Sequence, residues 1–389
     1  MIATARRLHG KQQSLIRAMT ERCTAVGGIN LGQGLSRMPP PDSLLHTAAA
    51  GFATADHSYS LAQGDPALRK AIARKLATYN NIDVDPEDGI VATIGASGAY
   101  NAVLLSYLDP GDGILLPEPF YGYHHAAAEL YGAVPEPLRL TAPDFHLDAQ
   151  VLEESATERT RAIVLCTPNN PSGRRLTAEE ISAVAAFAER RDLLVITDEI
   201  YEYIYYTPEQ HLSPAAFDSL KHRTITISGL SKTYSIPGWR LGYAAGPARL
   251  IQPVRTAADI LSVCAPTPLQ QLAEHALELP ESFYSAMRQQ YRSQRDRIAD
   301  AFRTAGLAPN QPEGAYYLLI DCSALGVENG HEAADTILTT TGIATIPGEA
   351  FHRDVPPHPY VRACFAVSQR DIARAEEALA DIDFTVKAH

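Results

Sequence analysis

Between residues 65 and 250 the chain repeatedly sets a short, unbroken apolar run ahead of an amphipathic helical pattern, and this alternation limits the fold more than any other feature. The runs are GIVATIG (89–95), GILLPE (113–118), RAIVLCT (161–167), DLLVITDEI (192–200) and RTITISG (223–229). A strand with one wet face alternates apolar and polar residues. These runs do not, so both of their faces are expected to be buried. Helices between such strands imply an α/β fold, with a mainly parallel central sheet covered by helices on both faces.

Two helices are signalled by their ends. LTAEEISAVAAFAERR carries a capping box, Thr177 with Glu180 three residues on, and places Ile181, Val184, Ala185 and Ala188 on one face. In GDPALRKAIARKLATYN, Asp65 can cap, Pro66 suits the first turn, and Leu68, Ile72, Leu76 and Tyr79 share a face. Beyond about residue 280 the pattern changes to a long helix, the strand-like GAYYLLID, GIATIPG and YVRACFAV, and a final helix. The expectation is a smaller α+β domain at 281–389, a large domain at 45–280, and an N-terminal segment, 1–44, that packs with the small domain.

A chain of 389 residues is long enough for two domains. Its net charge of −12 argues against nucleic acid as a partner. Five scattered cysteines without a CxxC pair imply neither a disulfide framework nor a zinc site, and a reducing cytoplasm is expected. No run is long and apolar enough for a signal peptide or a membrane span.

In an open parallel sheet, ligands bind beyond the carboxyl ends of the strands, so the residues that follow each run matter most. Gly95-Ala96-Ser97-Gly98 follows the first and opens a helix, where backbone N–H groups and a hydroxyl can meet an anion. TPNNPSG (167–173) offers two asparagine amides, and Asp198 is a carboxylate at a buried strand end that needs a cation or donor. SGLSKTYSIPGWRLGY follows the last run and contains Lys232 and Arg240. An amine, a carboxylate, an amide donor and an anion site are what pyridoxal 5′-phosphate requires for its aldehyde, pyridine nitrogen, phenolic oxygen and phosphate.

The lysine stretch resembles the lysine motif of class I (class I/II) aminotransferases, in the fold-type I group of pyridoxal-phosphate enzymes. INLGQGLSRMPPP (29–41), YSLAQGDPALRKAIA (59–73), GASGAYNAV, PEPFYGY (117–123), TPNNPSG, DEIY, EGAYYLL and YVRACFAVS match that family's other motifs in order. The resemblance implies pyridoxal phosphate as cofactor, no metal, and transfer of an amino group between an L-amino acid and a 2-oxo acid by a ping-pong mechanism. It implies that Lys232 is the catalytic residue, which bonds the cofactor aldehyde and then moves the proton at the substrate Cα. Asp198 would pair with the pyridine nitrogen, Tyr201 and Asn170 would donate to the phenolic oxygen, and Tyr121 would stack on the ring. Ala96, Ser97 and Arg240 would hold the phosphate, joined by Tyr59 from the second subunit of a homodimer. Arg362 would clamp the substrate α-carboxylate, with Gly34 and Asn170 beside it.

The chain departs from the family pattern at two places. Gly229 stands three residues before the lysine, where many relatives carry a hydroxyl, which puts one phosphate contact in doubt; Ser228 and Ser231 flank it. Ser36, Arg37 and Met38 replace a common Pro-Asp-Phe, and Arg37 is either a surface residue or a group that meets the far end of the substrate. The histidines, including His124 and His125, read as surface or packing residues. A lyase, cyclase or other amino-acid-modifying enzyme on the same scaffold shares these motifs and is the alternative. A regulator that only binds the cofactor is disfavoured, because too few residues precede the match to hold a DNA-binding module.

Overall fold

A computed structural model describes residues 4–9 and 14–385. Its centre is a seven-stranded sheet in the order Ile90–Ile94, Leu241–Ala245, Thr224–Gly229, Leu194–Asp198, Thr160–Cys166, Gly113–Glu118 and Val134–Arg139. Only Leu241–Ala245 runs against the others; it pairs antiparallel with both of its neighbours, and the remaining pairings are parallel.

The unbroken apolar runs are explained by packing on both sides of this sheet. Along Thr160–Cys166, Ala162 and Val164 enter one core with Ala99, Val103, Ile251 and Val254. Their neighbours Ile163 and Leu165 enter another with Ile181, Val184, Phe187 and Ala188. Successive residues of a strand point to opposite faces, so each run fills two cores at once. The helix Ala178–Arg190 starts at the capping box, in which the Thr177 hydroxyl accepts from Glu180 N–H and the Glu180 carboxylate accepts from Thr177 N–H. The helix Pro66–Lys75 starts at Asp65, whose side chain accepts from the N–H groups of Ala67 and Leu68.

Two sheet strands carry no clear sequence signal. Val134–Arg139 contains two prolines, which are tolerated because it is an edge strand. Leu241–Ala245 is reversed and short, and its residues lie in the tail of the lysine stretch. GIATIPG divides into Ile343–Ala344 and Ile346–Pro347, which join different sheets.

The C-terminal part holds a four-stranded antiparallel sheet in the order Ile346–Pro347, Tyr360–Cys364, Tyr317–Asp321 and Ala308–Pro309. The helices Glu281–Thr304 and Gln369–Ala380 supply Ile298, Phe302, Ile372 and Leu379 to its core. The N-terminal segment is tied to this part. Ile29–Asn30 pairs with Ile343–Ala344, and Leu31 carbonyl accepts from Cys364 N–H at 2.6 Å. These bonds hold the following turn, Gly32–Gly34, against the ends of the large sheet.

Candidate active site

Six strands of the central sheet run the same way, so their C-terminal ends lie along one edge. Asp198 is the last residue of its strand, and opposite it in register is Cys166, from which the chain enters the loop bearing Asn170. Gly229 ends the next strand and leads to Lys232. Ile94 ends another and leads into the helix Gly95–Tyr107. Arg240 reaches the same edge from the opposite sense, because the reversed strand Leu241–Ala245 begins there, with Leu241 opposite Ile94.

The anion cradle is built from close backbone approach. Gly95 has φ +68° and donates its N–H to the Arg240 carbonyl at 2.9 Å. A Cβ on Gly95 would lie 2.5 Å from Arg240 Nη2, so glycine leaves the space into which the guanidinium reaches. Arg240 Nη2 donates to Ser97 Oγ at 3.1 Å, which sets a cation and a hydroxyl in the first turn of a 13-residue helix. Such an N-terminus already favours an anion, and the guanidinium adds full charge.

Asp198 is buried and held at both oxygens. Oδ1 accepts from Ile200 N–H at 3.2 Å, and Oδ2 meets Nε2 of the buried His124 at 2.9 Å. His124 was expected to be a surface or packing residue. It lies instead in the first turn of the helix Gly122–Leu130, three residues after Tyr121, with its ring edge-on to the Tyr121 ring. The offset of three residues at a helix start was the available signal.

The Lys232 amine donates to the Gly34 carbonyl at 3.1 Å. Burial pulls its pKa down from 10.5 to about 8; nearby Cys364 and Asp198 oppose that change, while Arg362 and Arg240 add to it. An amine with a pKa near 8 has a usable neutral fraction near neutral pH and can act as a nucleophile or base.

Arg362 is fully buried. Nη1 donates to Asn170 Oδ1 at 3.0 Å, Nη2 donates to the Gly32 carbonyl at 2.5 Å, and Nε has no partner among the described residues. The guanidinium lies 4.4 Å from the centre of the Tyr317 ring and 4.9 Å from that of Phe351. Because Asn170 spends its oxygen on Arg362, its amide N–H groups remain to donate to something else.

These groups surround two adjoining cavities. One, of about 370 Å³, is lined by Ala96, Ser97, Tyr121, Asn170, Asp198, Tyr201, Lys232 and Arg240. The other, of about 550 Å³, shares Tyr121, Asn170, Tyr201 and Lys232, and adds Gly34, Arg362, Tyr317 and Arg17. Tyr59 lines neither and is 81 % exposed. Arg37 is also exposed and lines neither cavity, whereas the Ser36 hydroxyl faces inward to Ser235 and Tyr291. Ser231 lines the first cavity, but Ser228 donates to Glu202 at 2.7 Å and does not reach it. A Cβ on Gly229 would lie 2.8 Å from the Leu241 carbonyl and 3.0 Å from Gly242 Cα, so the missing hydroxyl reflects tight strand packing.

The residues present fit pyridoxal 5′-phosphate. Glycine leaves a cradle beside a guanidinium, the Asn170 amide has unused donors, and a desolvated amine stands between a carboxylate and a buried arginine. Fold and donor set together define the class, a fold-type I pyridoxal-phosphate enzyme. Residues 26–379 match the family model of aminotransferase class I and II. The chain is 36 % identical to a probable N-succinyldiaminopimelate aminotransferase of Mycobacterium tuberculosis over 350 residues, covering 90 % of this chain and 88 % of that one. It is 31 % identical to the methionine aminotransferase of Escherichia coli, covering 90 % and 91 % of the two chains. Among solved structures, N-succinyldiaminopimelate aminotransferase from M. tuberculosis superposes with a TM-score of 0.93 at 34 % identity, over 97 % of this chain and 99 % of that one. The chain belongs to the class I and II aminotransferase family; it is a pyridoxal-phosphate-dependent aminotransferase that moves an amino group between an amino acid and a 2-oxo acid by a ping-pong mechanism.

Proposed function

We propose that Lys232 is the catalytic residue, both as the covalent anchor of the cofactor and as the group that carries the proton at the substrate Cα. The observation that carries this is the desolvated amine at the junction of the two cavities, with the buried Arg362 in one and Asp198 in the other. Bound pyridoxal phosphate supplies an electron sink for the pair left at Cα.

The remaining roles follow from what each side chain can still donate or accept. Asp198 faces the pyridine nitrogen, with His124 holding its other side. Asn170 and Tyr201 donate to the phenolic oxygen, and Tyr121 stacks on the ring. Ala96 and Ser97 N–H, the Ser97 hydroxyl and Arg240 hold the phosphate. Arg362 takes the substrate α-carboxylate through the donors it has left, with Gly34 and Asn170 beside it. Holding that carboxylate fixes which bond at Cα stands perpendicular to the ring, and so which bond breaks.

The working unit is a homodimer in which Tyr59 reaches the phosphate of the partner subunit. Its exposed ring, which lines neither of the two cavities described above, supports this, as do the exposed Ile260, Leu261 and Val263. Each subunit works as a large domain (45–280) and a small domain (281–389), with segment 1–44 on the latter. The protein acts in the cytoplasm, in keeping with five free thiols.

The test is Lys232→Ala. It should lose turnover and the visible absorbance of the loaded enzyme while keeping the fold. A variant that still transaminates would sink the assignment.

A further inference from the structure

Tyr201 and Tyr317 place their hydroxyls 2.8 Å apart in the protein interior. Tyr317 begins the strand Tyr317–Asp321 of the small sheet, where Leu319 is opposite Arg362 and Tyr317 opposite Cys364. Its ring lies 4.4 Å beneath the Arg362 guanidinium. Its hydroxyl is wedged against the Gly32–Gly34 turn, since a Cβ on Gly34 would come within 2.3 Å of it. Tyr317 lines only the cavity that contains Arg362, whereas Tyr201 lines both cavities.

Each phenol has a single proton to give. If Tyr201 gives its proton to the cofactor, its oxygen must accept from Tyr317. The surroundings favour that order. Burial raises both phenols, but Arg362 draws Tyr317 back to about 12, whereas Tyr201 stays well above its ordinary value, with its contact to Tyr317 raising it further. Cys364, Tyr121, Tyr316 and Tyr291 also act on Tyr317, and Lys232 and Arg17 line the same cavity.

We propose that Tyr317 is a positioning residue that transmits the charge of the carboxylate clamp, Arg362, to the phenol of Tyr201 and from there to the cofactor's phenolic oxygen. This rests on the roles given above to Tyr201 and Arg362. The relay is separate from the bond between Arg362 and Asn170, because it runs through a ring face and a hydroxyl pair. When a substrate carboxylate neutralises Arg362, Tyr317 becomes a weaker donor and Tyr201 donates less strongly in turn. The phenolic oxygen then keeps more negative charge, and the Lys232-bound cofactor holds its proton to higher pH.

The experiment is a pH titration of the visible band of the loaded enzyme, for wild type and Tyr317→Phe, a change that keeps the ring beneath Arg362. The midpoint should rise by about half a pH unit in Tyr317→Phe, the effect of weakening one hydrogen bond. Saturating 4-methylpentanoate, a carboxylate without an α-amino group, should raise the wild-type midpoint and raise that of Tyr317→Phe by less. In a Tyr201→Phe background, adding Tyr317→Phe should shift nothing further. An unchanged or lowered midpoint, an equal response to the carboxylate, or additive shifts in the double variant would each overturn the relay. A wild-type protein that shows no visible band on loading would overturn the assignment of Lys232 first, and the relay with it.

Discussion

His124 and Asp198 share a buried contact of 2.9 Å between Nε2 and Oδ2, so the carboxylate at the end of the central strand Leu194–Asp198 is fixed from the side as well as from its own backbone. Groups that orient a ligand-binding side chain matter nearly as much as the side chain itself. His124→Phe keeps a ring beside Tyr100 and Tyr121 but removes the donor. Cofactor affinity should fall by about tenfold or more, measured by titrating the cofactor-free protein with pyridoxal phosphate and following absorbance. An unchanged dissociation constant would show that the backbone alone orients Asp198.

The depressed Lys232 pKa makes a signed prediction for the cofactor-free protein. The folded value is about 8 against an ordinary 10.5, so between these pH values the unfolded chain binds more protons than the folded one. Stability must therefore rise with pH through that window. Below it the buried amine costs its full penalty, at most about 3 kcal/mol. Lys232→Met should accordingly stabilise the cofactor-free protein at pH 7, and the gain should shrink as pH approaches 10. Denaturant unfolding at both pH values checks this; a gain that grew with pH would contradict it.

Restoring a hydroxyl three residues before the lysine should do harm. A Cβ at Gly229 meets the Leu241 carbonyl at 2.8 Å and Ile200 Cδ1 at 3.3 Å, and the carbonyl belongs to a paired strand that cannot easily give way. Gly229→Ser should lose about 1–3 kcal/mol of stability, read as a lower midpoint in denaturant, without tighter cofactor binding. Tighter binding at unchanged stability would mean that the strands separate more readily than their register implies.

Substrate choice should depend on Arg17 and not on Arg37. Arg17 lines the cavity that holds Arg362, whereas Arg37 lines neither cavity. Arg37→Ala should leave the ratio of kcat/KM between acidic and apolar amino donors unchanged. Arg17→Ala should lower that ratio by about tenfold, the effect of removing one charge partner of about 1.4 kcal/mol. The reverse pattern would place the distal end of the substrate beside Arg37.

Much of this fold is legible in the chain because its strands are buried on both faces. Ile163 and Val164 are both apolar because they fill different cores, and that leaves a plain signature. The strand Val134–Arg139 escapes the same reading because an edge position admits prolines. At the site, local spacing is informative where one motif bears two groups, as with Lys232 and Arg240. Contacts that depend on the third dimension leave no such trace. Tyr201 and Tyr317 are 116 residues apart, and nothing near either predicts that their hydroxyls meet. Arg37 and Arg17 are equally charged on paper and both are exposed, yet only Arg17 borders the cavity that holds Arg362.

The bond from Cys364 to Leu31 also affects when the site comes into being during synthesis. Lys232 owes its lowered pKa to burial and to Arg362, which is far along the chain, and its amine rests on the carbonyl of Gly34, near the start. A growing polypeptide that has just released its lysine from the ribosome therefore carries an ordinary, solvated ammonium. The desolvated amine forms only when the strand Tyr360–Cys364 closes on the turn after Leu31, so its lowered pKa belongs to the folded protein and not to the lysine alone.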